Sequence, residues 1–174
     1  SALAALKKQS FDHEPSYFAA YGTLAARVGS LTESIQAFER CCELDPKSAV
    51  FRTNLGMALI DQAVAGVDSE SVDEDLVRQA LLELQQAIAL DQRLGYALAG
   101  LGFAYHLLDQ LDHAKAYLDR AIAAEPELIM AWYHRGELMR SLDQIDEAKR
   151  CFEQVLVLDS QCEPARISLA QLEI

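Results

Sequence analysis

Long apolar runs are missing from this 174-residue chain. Nothing in it approaches the ~18 consecutive apolar residues that a membrane-spanning helix needs, so direct membrane insertion is not expected. A basic-then-apolar leader is missing as well, in a chain that opens on Ser1 rather than on methionine. Positive charge is scarce. Fifteen basic residues stand against 27 acidic ones, for a formal net charge of −12. A surface that acidic repels phosphate backbones and anionic headgroups, which argues against nucleic acid and favours a basic, apolar or amphipathic protein partner. Acidity of this degree also serves solubility.

Chemistry-bearing patterns are equally thin. Cys41, Cys42, Cys151 and Cys162 show neither CxxC nor zinc-finger spacing, and neighbours such as Cys41 and Cys42 are poorly placed to bridge each other. They read as small buried hydrophobes, which favours a reducing compartment and a cytoplasmic setting. His13, His106, His113 and His134 are scattered, and no carboxylate completes a ligand set around them. A phosphate-cradling glycine loop, a serine elbow and a distinctive carboxylate pair are all lacking. The expectation is a protein without metal, cofactor or catalysis.

What the chain does contain is a rhythm. Gly22, Gly56, Gly102 and Gly136 lie 34, 46 and 34 residues apart. Ser34, Ala80, Ala114 and Ala148 are spaced 46, 34 and 34, and the bulky Phe38, Leu84, Leu118 and Phe152 repeat that second series. A 34-residue unit therefore occurs four times, with twelve extra residues between Gly56 and Ala80. Within each unit, segments such as "SIQAFERCCEL" and "AKRCFEQVLVL" place apolar residues three and four apart, the stripe of a one-sided helix. Short polar turns separate the two helices of a unit. Two units end on "LDP" (Leu44 to Pro46) and "AEP" (Ala124 to Pro126), where proline cannot extend the hydrogen-bond ladder. The fold is expected to be all-α: hairpins of two antiparallel helices that bury their stripes by stacking. Glycine and alanine mark the tightest helix crossings, with the bulky residue filling the gap beside them.

This pattern resembles the tetratricopeptide repeat, whose rhythm is W-x2-L-G-x2-Y, then A-x3-F, then P. Trp132, Gly136, Ala148 and Phe152 carry the resemblance in the last unit. Leu101, Gly102, Tyr105, Ala114 and Pro126 carry it in the third, with Leu118 in place of the aromatic. In the first, Gly22, Phe38 and Pro46 match, while Phe18 stands for the tryptophan and Ser34 for the alanine. The second keeps Leu55, Gly56 and Ala80 but has Arg52 at the aromatic slot; Arg135 and Met139 depart from the usual leucine and tyrosine in the fourth. The units fall at 15–48, 49–94, 95–128 and 129–162. Residues 163–174 read as a C-terminal capping helix, and 1–14 as the end of a preceding helix, as in a piece of a longer array.

The resemblance implies a right-handed superhelical solenoid whose first helices line a concave groove, and a non-catalytic scaffold or adaptor that binds a peptide or helix of another protein there. On that reading the groove offers Ala19, Thr23, Ala26 and Arg27 from the first unit and Thr53, Asn54, Met57 and Ile60 from the second. The third adds Tyr96, Ala99, Gly100, Phe103 and His106, and the fourth Met130, Tyr133, His134, Glu137 and Arg140. The peptide-binding set proper is expected to be Asn54, Met57, Tyr96, Phe103, His106, Met130, Tyr133, His134, Glu137 and Arg140, a lining rich in aromatic and methionine side chains. Members that clamp a C-terminal carboxylate use lysines, an arginine and asparagines. The corresponding slots here hold Ala19, Thr23, Asn54, Tyr96 and Gly100, and without cations such a clamp is excluded. Self-association, or a regulatory role within a larger protein, remains an alternative.

The insertion is expected to lengthen both helices of the second hairpin by about six residues, pushing it outward by ~9 Å. Ser71 and Glu74 form a capping-box pattern, and Asp68, Glu70, Asp73, Glu74 and Asp75 form an acidic knob, a secondary contact for a basic partner.

Overall fold

The computed structural model describes residues 14–65 and 72–172. Among these residues there are nine helices and no strand: α1 (Pro15–Arg27), α2 (Leu31–Leu44), α3 (Ala49–Val64), α4 (Glu74–Leu90), α5 (Gly95–Leu107), α6 (Leu111–Ala124), α7 (Ile129–Ser141), α8 (Ile145–Leu158) and α9 (Glu163–Gln171). They form two compact units that divide at Gln92 and Arg93. In the first, α1 pairs with α2, α3 pairs with α4, and α2 packs against α3. In the second, α5 pairs with α6 and α7 with α8; α6 and α5 both pack against α7, and α9 lies on α8.

The sequence rhythm maps onto the crossings. A Cβ placed on Gly102 would stand 2.5 Å from Leu118 Cγ and 3.2 Å from the Ala114 carbonyl oxygen. On Gly56 it would stand 2.6 Å from Leu84 Cγ and 3.3 Å from the Ala80 carbonyl, and on Gly136 2.6 Å from Phe152 Cε1. The small residues do let the helices close in, but the bulky residue is not beside the crossing. It lies directly over the glycine, taking the space a methyl would need. Leu84, Leu118 and Phe152 are fully buried there, and burying each such side chain contributes about 2–3 kcal/mol.

The turns follow one plan in three of the hairpins. Gly29, Asp109 and Asp143 have φ of 79°, 56° and 57°. The next residue's amide reaches back across the helix end, Ser30 N to Ala25 O, Gln110 N to Tyr105 O and Gln144 N to Met139 O, each at 2.9 Å. This closure satisfies carbonyls that the ending helix leaves open.

The hairpin that carries the insertion departs. Its helices α3 and α4 have 16 and 17 residues against 13 and 14 for α5 and α6. The insertion therefore lengthens each helix by three residues, about 4.5 Å, rather than six, and the remainder falls between Val64 and Glu74. The first helix does end at Val64 as expected. The cap of α4 is Asp73, whose carboxylate accepts from the amides of Asp75 and Leu76 at 3.1 and 3.2 Å. Ser71 lies outside the described residues.

A ring-lined face on α5 and α7

The repeat puts every fourth or third residue of a first helix on the side away from its second helix. In the second unit this brings Phe103 of α5 against His134 of α7. Their rings stack at a centroid distance of 3.9 Å and 16° between planes. Met130 lies one turn before His134, and both are half-buried; Tyr96, at the start of α5, is 52% exposed. Tyr96 also borders a cleft of 560 Å³ formed with Glu125, Pro126 and Ile129. Tyr133 is divided between two roles: its ring meets His134 edge-on at 5.6 Å and leans on the core residue Phe152 at 5.8 Å.

Three polar members of the set, His106, Glu137 and Arg140, already have partners. Glu137 and Arg140 form an ion pair at 2.5 Å, and the second Glu137 oxygen accepts from Ser168 Oγ of α9 at 2.8 Å. His106 Nε2 lies 3.1 Å from Ser141 Oγ, whose own hydrogen goes to the Leu138 carbonyl at 2.8 Å. The hydroxyl therefore accepts, and His106 donates from Nε2. Burial pushes the pKa of His134 down to about 4, and His106 adds to the effect. Burial likewise lowers His106 below its ordinary value, partly opposed by Glu137. Both imidazoles are neutral near pH 7, and the charged pair cancels.

In the first unit Asn54 and Met57 are half-buried on α3, whereas Thr53 and Ile60, expected in the same lining, are core residues at 3% and 0% exposure. The Thr53 hydroxyl turns back to the Ala49 carbonyl at 2.8 Å. Of the acidic knob, Asp68 and Glu70 lie outside the described residues. Asp73 is spent on its cap, while Glu74 and Asp75 pair with Arg78 at 2.5 and 3.0 Å.

In the sequence Arg135 stands out as a departure with no role attached. Its guanidinium braces three helices, reaching Asp119 on α6 at 2.8 Å, Cys151 on α8 at 3.2 Å and Glu147 on α8 at 3.6 Å. Burial disfavours its charge, but the hydrogen bonds to Asp119 and Cys151 outweigh it and hold its pKa above the ordinary value. An arginine in an apolar slot was the available signal. With Trp132 and Arg150 it lines a cleft of 610 Å³. Among the described residues no group of three or more histidine, cysteine or acidic side chains could hold a metal, and no helix is long and apolar enough to cross a membrane.

These stacked hairpins define an all-α helical-repeat solenoid, a class that generally mediates contacts between proteins. Residues 15–48, 96–128 and 131–162 match the tetratricopeptide repeat. That is more than half of the chain, which belongs to the tetratricopeptide repeat family. The unmatched stretch holds the insertion and Arg52. No curated protein matches the sequence. Among solved structures, a thermophilic tetratricopeptide protein of Thermus thermophilus superposes with a TM-score of 0.84 at 20% identity, over 99% of this chain and 89% of that one. PilF of Pseudomonas aeruginosa gives 0.72 at 17%, over 99% and 69%, and MamA of Desulfovibrio magneticus gives 0.67 at 21%, over 93% and 86%. At these identities the likeness shows the fold alone.

Proposed function

We propose that the protein is a non-catalytic scaffold that binds a segment of another protein on the exposed face of its first helices, in the cytoplasm. The observation that carries this reading is the Phe103–His134 stack with Tyr96 and Met130 around it. Large rings left on a helix face, with the neighbouring charges neutralised, suit an apolar or amphipathic polypeptide better than water. The stacked hairpins hold these rings in place before binding, which lowers the ordering cost that association must offset. The first unit, taken by itself, offers the half-buried Asn54 and Met57 on its own first helix α3.

The test is retention of the native partner on immobilised protein. Phe103→Glu places a charge in the stack and abolishes retention while the circular dichroism spectrum stays helical. Undiminished retention by a folded Phe103→Glu protein overturns the reading.

A further inference from the structure

The turns that join one hairpin to the next share a backbone plan and differ in charge. Ser48 N, Leu128 N and Cys162 N donate to Asp45 O, Glu125 O and Asp159 O at 3.2, 3.0 and 3.1 Å. In two of these turns the acidic side chain also closes its own turn, Asp45 on the Lys47 amide at 3.3 Å and Asp159 on the Gln161 amide at 2.9 Å. Glu125 is one methylene longer and goes elsewhere. Its carboxylate reaches α5 and accepts from Gly95 N at 2.9 Å. Gly95 makes the room, since a Cβ there would stand 2.6 Å from the Glu125 carboxyl carbon. One acid is thereby fixed at the residue before Tyr96, whose ring is 52% exposed. Glu127 stands where the other turns carry Lys47, Arg93 and Gln161. The 560 Å³ cleft that these residues form therefore has an aromatic ring, two carboxylates and no cation in its lining.

We infer that this cleft takes an arginine side chain of the bound protein, its guanidinium lying on the Tyr96 ring and pairing with Glu125 and Glu127. The inference rests on the interaction reading above and adds a charge to it. The Phe103–His134 stack receives an apolar part of the partner, and the Tyr96 end a basic part. Charge complementarity selects the occupant. One oxygen of Glu125 is held by the Gly95 amide, which leaves the other for a donor from outside, and Glu127 brings a second carboxylate. A carboxylate or phosphate would meet two like charges here, on a chain that carries −12 in all. A metal ion matches poorly, because among the described residues no group of three or more ligating side chains forms. A guanidinium matches well. It is weakly hydrated, lies flat on an aromatic face, and presents paired N–H groups to carboxylates. Lysine offers a more strongly hydrated point charge without that planar fit.

Three blocked tripeptides serve as probes on the whole protein: acetyl-Ala-Arg-Ala amide, its lysine analogue, and its citrulline analogue, which keeps the shape without the charge. Binding is read from the NMR signals of the Gly95 amide and the Tyr96 ring. The arginine peptide is expected to shift both, the lysine peptide to bind more weakly, and the citrulline peptide to shift neither. Glu127→Gln and Tyr96→Ala should each weaken the arginine peptide about threefold. Glu127→Lys, which copies the Lys47 turn, should abolish its binding. Equal shifts from the arginine and citrulline peptides, or none from either, overturn the inference. So does a lysine peptide that binds as tightly as arginine, or arginine binding that Glu127→Gln and Tyr96→Ala leave unchanged. Retention of the native partner separates this failure from that of the broader reading. Retention lost with Phe103→Glu but untouched by Glu127→Lys removes the arginine site alone. Undiminished retention by Phe103→Glu removes the reading on which the site rests.

Discussion

Arg52 and Trp132 occupy the same slot of their repeats and make the same bond. Each donates from its side chain to the carbonyl of a proline six residues earlier: Arg52 Nη2 to Pro46 O at 3.1 Å, and Trp132 Nε1 to Pro126 O at 2.8 Å. An arginine at an aromatic position is thus less of a departure than it looks, because the donor that ties the first helix to the preceding turn survives. Arg52 adds an ion pair with Glu83 on α4 at 2.8 Å, partly shielded from solvent.

Arg52→Ala removes both contacts and leaves Glu83 without that cation. The expected cost is about 1–2 kcal/mol, read as a lower denaturant midpoint with an unchanged slope. Arg52→Trp should restore part of the loss through the Pro46 carbonyl.

Ser34 is the outlier among the small residues. It is fully buried in α2, and its hydroxyl has no partner, where the other three hairpins carry Ala80, Ala114 and Ala148. Ser34→Ala should raise stability by about 1 kcal/mol, visible as a higher Tm in thermal unfolding. A lower Tm would mean that the hydroxyl is bonded in solution.

The glycine crossings should rank by their clearance. Gly102→Ala sets a methyl 2.5 Å from Leu118 Cγ, whereas Gly22→Ala meets Phe38 Cζ at 3.0 Å. Gly102→Ala is expected to cost about 1–3 kcal/mol as overpacking, and Gly22→Ala less. Chemical denaturation of the two variants side by side checks the order.

His134 makes stability depend on acid. Its pKa in the folded protein is about 4 against 6.5 for the free group. Between these values the unfolded chain binds a proton that the folded one does not, so this contribution is whole above pH 6.5 and is lost as pH falls toward about 4. The groups around it are Phe103, Tyr133 and His106, with Glu137 and Arg140 acting on His106. His134→Phe should therefore lose less Tm than the native protein over that window.

The repeating part of this molecule was legible because it is periodic. The slots of Gly102, Ala114 and Leu118 recur at the same offsets in three hairpins and are split by twelve extra residues in the one with the insertion, and one packing solution satisfies all four. The turn residues Asp109 and Asp143 share their slot with Gly29 for the same reason. Pairings across repeats were not legible. Phe103 and His134 lie 31 positions apart, and periodicity places each on a face without saying that their rings touch. The same holds for Glu137, which is expected from the sequence in the peptide-binding set and is bound to Arg140 and Ser168. The cap of α4 was not legible either, because Ser71 and Asp73 both have capping side chains, and local pattern alone does not choose between them.

The most direct measurement of the central claim is site-specific photocrosslinking inside the native cell, from two exposed positions of the second unit. Tyr96 stands on the first-helix face at 52% exposure, and Val157 on the second helix α8 at 78%. The account predicts one partner captured from position 96 and lost with Phe103→Glu, and no such capture from position 157. Capture of the same partner from position 157, or its persistence in the Phe103→Glu protein, would contradict it.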